Sequence, residues 1–361
     1  MECFGNTYNR SDMSLKEKKK VLFTFDYELF LGTRSGSVSR CLIEPTEQIM
    51  RMLGQYKFKS IFFVDVTYLL RMKELAIINP RVLDDFDRIR AQIKQMLQRG
   101  HYVFPHIHSH WLDAKYLVDD NQWDLSDVSR YRLHLLSPEE RKDLFSRSFA
   151  LLREILDPAK IDYELNGFRA GGWSIQPFAD FKVLFEDFGI KYDFTVMRGW
   201  SYFSSAQHFD FRTVTSLPET YTFLDDILVP SPGPFREFCI SRIKKSGLIG
   251  NLLGRVELKV LPGRIRNSLG DGFSTVFAGS GESNLSEKKA DEYEWEMASF
   301  ELLKNQNFRN YLTFLEKNSY LQFISHPKML SLHNLQNADR FLNEVSEKYF
   351  IETDFKKMID L

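Results

Sequence analysis

Short apolar runs alternate with amphipathic stretches along most of this chain, in the order strand, helix, strand. Val21-Leu22-Phe23-Thr24-Phe25 is apolar, partly β-branched and aromatic, and reads as a buried strand. A helix opens near Pro45 and continues through Met50 and Leu53. Lys59–Val66, with Ser60-Ile61-Phe62-Phe63-Val64 at its centre, predicts a second strand. Asn79-Pro80 offers a cap and a first-turn proline to a helix that Gly100 closes. His101–Pro105 is a third, short strand. Ser137-Pro138-Glu139-Glu140 has the form of a capping box before a helix reaching about Leu156. Leu165–Phe168 follows as a strand, Gln176–Phe188 as a helix ended by Gly189, and Ile190–Val196 as a strand. Tyr320–Ser325 is an apolar strand, with a polar-faced helix from about Asn334. This alternation predicts an α/β fold with a parallel sheet. With 361 residues, one barrel-type domain carrying an insertion fits better than several small domains.

The pattern breaks between Ser231 and about Ser286, a stretch rich in glycine and proline around Gly247-Leu248-Ile249-Gly250-Asn251-Leu252-Leu253. From Arg236 to Arg266 it holds eight Lys or Arg against two Glu, an excess of six. The expected organisation is a polar tail over 1–20, the α/β body over 21–230 and 287–361, and a basic insertion over 231–286. As a solvated face the insertion has no function. As a flap it would meet an anionic substrate, such as a nucleotide- or lipid-linked sugar, or make peripheral contact with a membrane surface. Overall the formal net charge is −1, which gives no reason to expect a nucleic-acid partner. Cys3, Cys41 and Cys239 are too scattered for a disulfide framework or a thiolate metal site. There is no apolar leader in the lysine-rich Met1–Lys20 and no run of membrane-spanning length, so the expected location is cytoplasmic.

The chemistry concentrates in Gly100-His101-Tyr102-Val103-Phe104-Pro105-His106-Ile107-His108-Ser109-His110-Trp111, which holds four of the eight histidines. If the segment turns helical, His106 and His110 stand at i and i+4 on one face, close enough to share a metal ion. A catalytic zinc typically takes three protein ligands, which calls for a third, a carboxylate. Asp26 and Glu28 end the first strand two residues apart. In an extended backbone they share a side, one suited to bind metal and the other to accept a proton. On the helical reading His108 points away, and His101 and His108 take structural or supporting roles. If the segment stays extended, His106, His108 and His110 share a face, as in amidohydrolase-type barrels. That arrangement needs more histidines after mid-barrel strands, and of His134, His208, His326 and His333 only His326 is so placed. Chemistry in parallel barrels lies at the C-terminal strand ends. Asp26, His106, Arg169, Asp193 and His326 all fall at or just after predicted strand ends.

These residues together resemble the polysaccharide deacetylase family, the NodB-homology enzymes related to carbohydrate esterase family 4. Thr24-Phe25-Asp26-Tyr27-Glu28 resembles the opening motif, in the Asp-x-Glu form. Gly100-His101 with His106 and His110 resembles the histidine motif, with Ile107 in place of Ser or Thr. Phe168-Arg169-Ala170-Gly171-Gly172-Trp173 keeps the arginine of the third motif without its proline. Asp193 resembles a fourth, and Phe323-Ile324-Ser325-His326-Pro327 the last. The matches run in family order from about residue 21 to 327.

The resemblance implies a distorted (β/α) barrel of about seven strands. It implies Glu28, His106 and His110 as ligands of a divalent metal, most suitably zinc. It implies Asp26 as catalytic base, Arg169 as the residue orienting that base, His326 as general acid and Asp193 as its partner. Trp111 and Trp173, beside the motifs, either wall an acyl pocket and stack on a sugar, or pack in the core. The expected reaction is hydrolysis of an N-acetyl group from an amino sugar of a polysaccharide or glycan precursor. The rivals are a deformylase or other C–N hydrolase on a non-sugar amide, and a barrel that binds glycan without turnover.

Overall fold

The computed structural model describes residues 16–156, 163–204, 206–214, 218–247, 256, 259–273 and 294–359. Most of the Gly247–Leu253 run, and much of the expected insertion, lie outside the described residues. The main elements are β1 (Lys18–Tyr27), α1 (Glu44–Gln55), β2 (Ser60–Asp65), α2 (Val66–Ala76), α3 (Pro80–Gln98) and β3 (Tyr102–Ile107). They continue with α4 (Pro138–Leu156), β4 (Gly167–Ala170), α5 (Ala179–Phe188), β5 (Tyr192–Asp193), β6 (Thr220–Phe223) and β7 (Phe235–Phe238). The chain closes with α6 (Phe308–Lys317), β8 (Tyr320–Ser325), α7 (Leu332–Lys348) and β9 (Phe350–Glu352).

One nine-stranded sheet runs in the order β6-β7-β5-β4-β3-β2-β1-β8, with β9 also paired to β1. Only β6 and β7 pair antiparallel. The sheet curls, and irregular segments bridge its ends. Ser241, just past β7, donates its backbone N–H to the Gln322 carbonyl of β8 at 3.2 Å. Ala298 donates to Ser241, and Ile324 donates to Ala298. The result is the expected distorted α/β barrel, closed by single hydrogen bonds where a regular strand pair is missing.

Alternation along β1 explains both layers. Val21, Phe23 and Phe25 pack outward under the helices, with Phe23 stacked on Phe323 at 5.5 Å and Phe25 on Phe62 at 5.4 Å. Leu22 faces inward with Ile61, Phe63, Phe104, Phe194 and Phe238, and Phe355 packs beneath them. Period two then puts Thr24 and Asp26 on the inner side. The helix signals hold as expected. Asn79 accepts from Arg81 and Val82, Ser137 and Glu140 exchange capping-box hydrogen bonds, and Gly189 ends α5 at φ 71°. Two expectations change. The strand over Ile190–Val196 shrinks to the two residues of β5, and β6 and β7, unexpected from the pattern, extend the sheet. No helix among the described residues is long and apolar enough to cross a membrane.

Candidate metal centre and active site

Arg169, from β4, enters the barrel interior and is fully buried. Its Nη1 donates to Asp26 Oδ1, its Nη2 to Thr24 Oγ1 at 2.7 Å and its Nε to the Phe194 carbonyl at 3.0 Å. The guanidinium lies 4.1 Å over the Phe63 ring. Burial alone would raise the Asp26 carboxyl, but Arg169 outweighs it, with help from His106 and His326, and holds Asp26 below the usual range.

Glu28, His106 and His108 bring one ligand atom each to a common point, and all three are buried. His108 Nε2 is 2.8 Å and His106 Nε2 3.5 Å from Glu28 Oε2, and the two Nε2 atoms are 3.0 Å apart. His106 Nδ1 sits 2.8 Å from the Arg169 carbonyl, so it is the donor nitrogen and Nε2 is left bare. Lys328 takes the other Glu28 oxygen at 2.8 Å. Burial works to raise Glu28, yet Lys328 and the two imidazoles pull it well below the carboxylate range. At His106 burial opposes the charge, and Asp26 and Glu28 overcome it and raise the imidazole.

The helical turn expected over His106–His110 is absent. β3 carries His106, and His108 keeps an extended backbone at φ −111°, ψ 100°, so these two share a side. His110 belongs to the 3₁₀ turn Ser109–Asp113 and is outside the three-residue group, with its ring 5.2 Å from that of His108. His110 lies stacked on Tyr131 at 5.1 Å, its two nitrogens buried without hydrogen bonds, and burial pushes it well below the usual imidazole range. The ligand group therefore contains His108 where the helical reading had His110. Gly171 makes room for it. A Cβ there would stand 2.3 Å from the Ile107 carbonyl oxygen and 2.9 Å from the His108 ring.

His326 follows β8 and places Nε2 3.7 Å from both Asp26 Oδ2 and Glu28 Oε1. Its Nδ1 is held by Glu301 Oε1 at 2.9 Å, and its backbone N–H donates to Glu301 Oε2 at 2.7 Å. Burial would lower the imidazole, but Glu301 first, then Asp26 and Glu28, raise it. Asp193 does not reach His326. It sits opposite Glu237 on β7, receives two hydrogen bonds from Thr195, and is pushed up to about 6, chiefly by burial. Trp111 is buried, packed on Tyr68 at 4.5 Å and Trp123 at 5.5 Å, as core. Trp173 does wall the cleft over the site, with His326, Lys328, Tyr131 and Gln207; the cleft holds about 200 Å³. His101, by contrast, accepts the Ser60 backbone N–H at 3.1 Å below the site.

Sequence reading missed Glu301 and Lys328. Lys328 is two residues past His326, a weak signal. Glu301 carries none, because the loop before α6 has no period to place it.

The donor set fits a divalent cation. Ligand atoms about 2.0–2.2 Å from a tetrahedral ion stand roughly 3.3–3.6 Å apart; the 3.5 Å spacing here lies in that range and those of 2.8 and 3.0 Å are shorter, and Glu plus two His is a known catalytic zinc set. Glu28 Oε2 is buried and faces the two imidazole nitrogens.

Fold and site together define a parallel α/β barrel with a carboxylate–imidazole group at the C-terminal strand ends. No protein-family model matches the sequence, and no curated protein matches it. Solved structures similar to it include a candidate polysaccharide deacetylase from Mycobacterium smegmatis, at 15% identity and TM-score 0.49, covering 96% of this chain and 90% of that one. A family 4 acetyl xylan esterase from Clostridium thermocellum, in complex with a cobalt ion, matches at 16% identity and TM-score 0.27, over 52% of this chain and 62% of that one. The 4-alpha-glucanotransferase from Thermococcus litoralis matches at 9% identity and TM-score 0.46, over 95% of this chain and 40% of that one.

Proposed function

We propose that this protein is a metal-dependent N-deacetylase acting on an acetylated amino sugar. One observation supports it above the rest: a held carboxylate and a held imidazole, Asp26 and His326, flank one three-donor group in the same small cleft. A divalent cation on Glu28, His106 and His108, most suitably zinc, supplies Lewis acidity toward the acyl carbonyl and lowers the pKa of water. The other roles belong to side chains. Asp26, with Oδ1 tied to Arg169, takes the proton of the attacking water at Oδ2. His326, with Nδ1 tied to Glu301, gives its Nε2 proton to the departing nitrogen, since an amide nitrogen leaves only as an amine. The products are acetate and a free amino sugar.

The substrate we favour is a cytoplasmic precursor on an anionic carrier, either a nucleotide or a lipid diphosphate. What motivates this is a second, separate cleft of about 440 Å³, lined by Arg198, Arg242, Lys244 and Lys317 with Trp295 and Phe314, in which Arg198 and Lys244 also meet Glu219 at 3.4 Å and Glu294 at 3.7 Å. The zinc-loaded protein should release acetate from an N-acetylated amino sugar, and Asp26→Asn should slow release about 10²–10⁴-fold. Undiminished release by that variant would refute Asp26 as base. Formate release from an N-formylated analogue, with no acetate from the N-acetylated sugar, would make the enzyme a deformylase.

A further inference from the structure

The two oxygens of Glu28 face different partners. Oε2 meets the imidazole nitrogens of His108 at 2.8 Å and His106 at 3.5 Å, while Oε1 accepts from Lys328 Nζ at 2.8 Å. A lysine is almost never fully buried unless it is paired, and Lys328 keeps only 3% of its surface open. Its Nζ also donates to the Leu29 carbonyl at 2.6 Å and lies 5.3 Å over the Phe30 ring. The backbone that carries it is fixed as well. Lys328 sits in the 3₁₀ turn Pro327–Met329 that follows His326, and its carbonyl accepts the Gly270 N–H at 3.1 Å. A Cβ on Gly270 would stand 2.5 Å from that oxygen and 2.7 Å from the Phe30 ring, so this approach needs glycine.

That hold limits what Glu28 can offer a cation. A carboxylate binds metal through one oxygen or through both. Binding through both would draw Oε1 off Lys328 and leave a buried ammonium without its counter-charge, which is strongly unfavourable. With Oε1 occupied, the group presents three donor atoms, Oε2 and one nitrogen from each of two imidazoles. Three such donors and a water complete the four-coordinate shell that zinc accepts. Manganese favours an octahedral shell rich in carboxylate, carbonyl and water oxygens, for which a second carboxylate oxygen is an advantage.

We propose that Lys328 is a positioning residue that sets cation choice: by occupying Glu28 Oε1 it keeps that carboxylate to one donor oxygen, and so selects four-coordinate cations such as zinc over six-coordinate, oxygen-seeking ones such as manganese. This rests on the metal-dependent reading of the site. The test measures zinc and manganese affinities by calorimetry on the metal-stripped full chain, unaltered and as Lys328→Met. Methionine keeps an unbranched apolar stem and removes the donor and the charge. The lost charge favours both divalent cations alike and cancels in the ratio of their dissociation constants, whereas the freed oxygen favours manganese. The preference for zinc should therefore fall about tenfold or more in Lys328→Met, the low end of the 10–100-fold by which such contacts tune metal affinity. Loaded with cobalt, the unaltered protein should show the intense visible bands of a four-coordinate ion, and Lys328→Met the weaker bands of a higher-coordinate one. An unchanged preference in Lys328→Met would overturn the role of Lys328. So would a weak, higher-coordinate cobalt spectrum from the unaltered protein, a result that stands even if the variant fails to fold. Binding of neither zinc nor cobalt by the unaltered protein would instead overturn the metal-dependent reading on which that role depends.

Discussion

Asp26 gives one oxygen to Arg169, and Glu28 gives one to Lys328, so each carboxylate turns a single remaining oxygen toward the cleft. Different cations thus separate two similar acids, the proposed base and the proposed ligand. Glu301 does the corresponding work on His326. The imidazole is raised above its usual value near 6.5, so its ion pair stabilises the fold fully below that pH and fades as pH rises through the raised value. On the proposed mechanism the same proton limits catalysis at high pH. Glu301→Gln keeps the shape and removes the charge, so the alkaline limb of kcat/KM should move to lower pH. A limb that stays in place would mean another group sets it. The sequence made Asp26, Glu28, Arg169 and His326 legible because each ends an apolar strand. It misled at His110, because the spacing of four suits a helix, and only an extended backbone through His108 makes the spacing of two the relevant one.

Elements place these groups through strand register. β1 pairs with β8 from Lys20↔Tyr320 to Phe25↔Ser325, which sets Asp26 beside the start of the His326 turn. Thr24 Oγ1 ties the same two strands to Arg169, donating to the Phe323 carbonyl and accepting from Nη2. On the outer face Phe323 packs between Phe300 at 4.8 Å and Tyr311 at 5.7 Å. Phe323→Ala should cost about 3–5 kcal/mol in denaturant unfolding, the range for a buried phenylalanine. A loss below 1 kcal/mol would show that this packing does not hold β8 against β1. The long apolar strands were readable from composition alone. β6 and β7 were not, because four residues give too few turns of any period.

At the scale of the molecule, the barrel joins positions that sequence order cannot connect. Glu28 and Lys328 are 300 residues apart and share a hydrogen bond. Glu301 meets His326 where Ser241 and Ala298 close the barrel onto β8 without a regular strand pair. Such closure leaves no hydropathy signal, so the partners of His326 and Glu28 became visible only with the fold. Asp193 was placed correctly at a strand end and given the wrong neighbour for the same reason: β7, not β8, stands beside it.

On the proposed function, Glu28, His106 and His108 hold one cation. Zinc titration by calorimetry, on the unaltered protein and on His108→Ala and His110→Ala, tests it most directly. One equivalent should bind, with an affinity loss of about 100-fold or more in His108→Ala and little change in His110→Ala, since a ligand's loss should exceed the 10–100-fold typical of its supporting contacts. Binding that survives His108→Ala and fails in His110→Ala would contradict it.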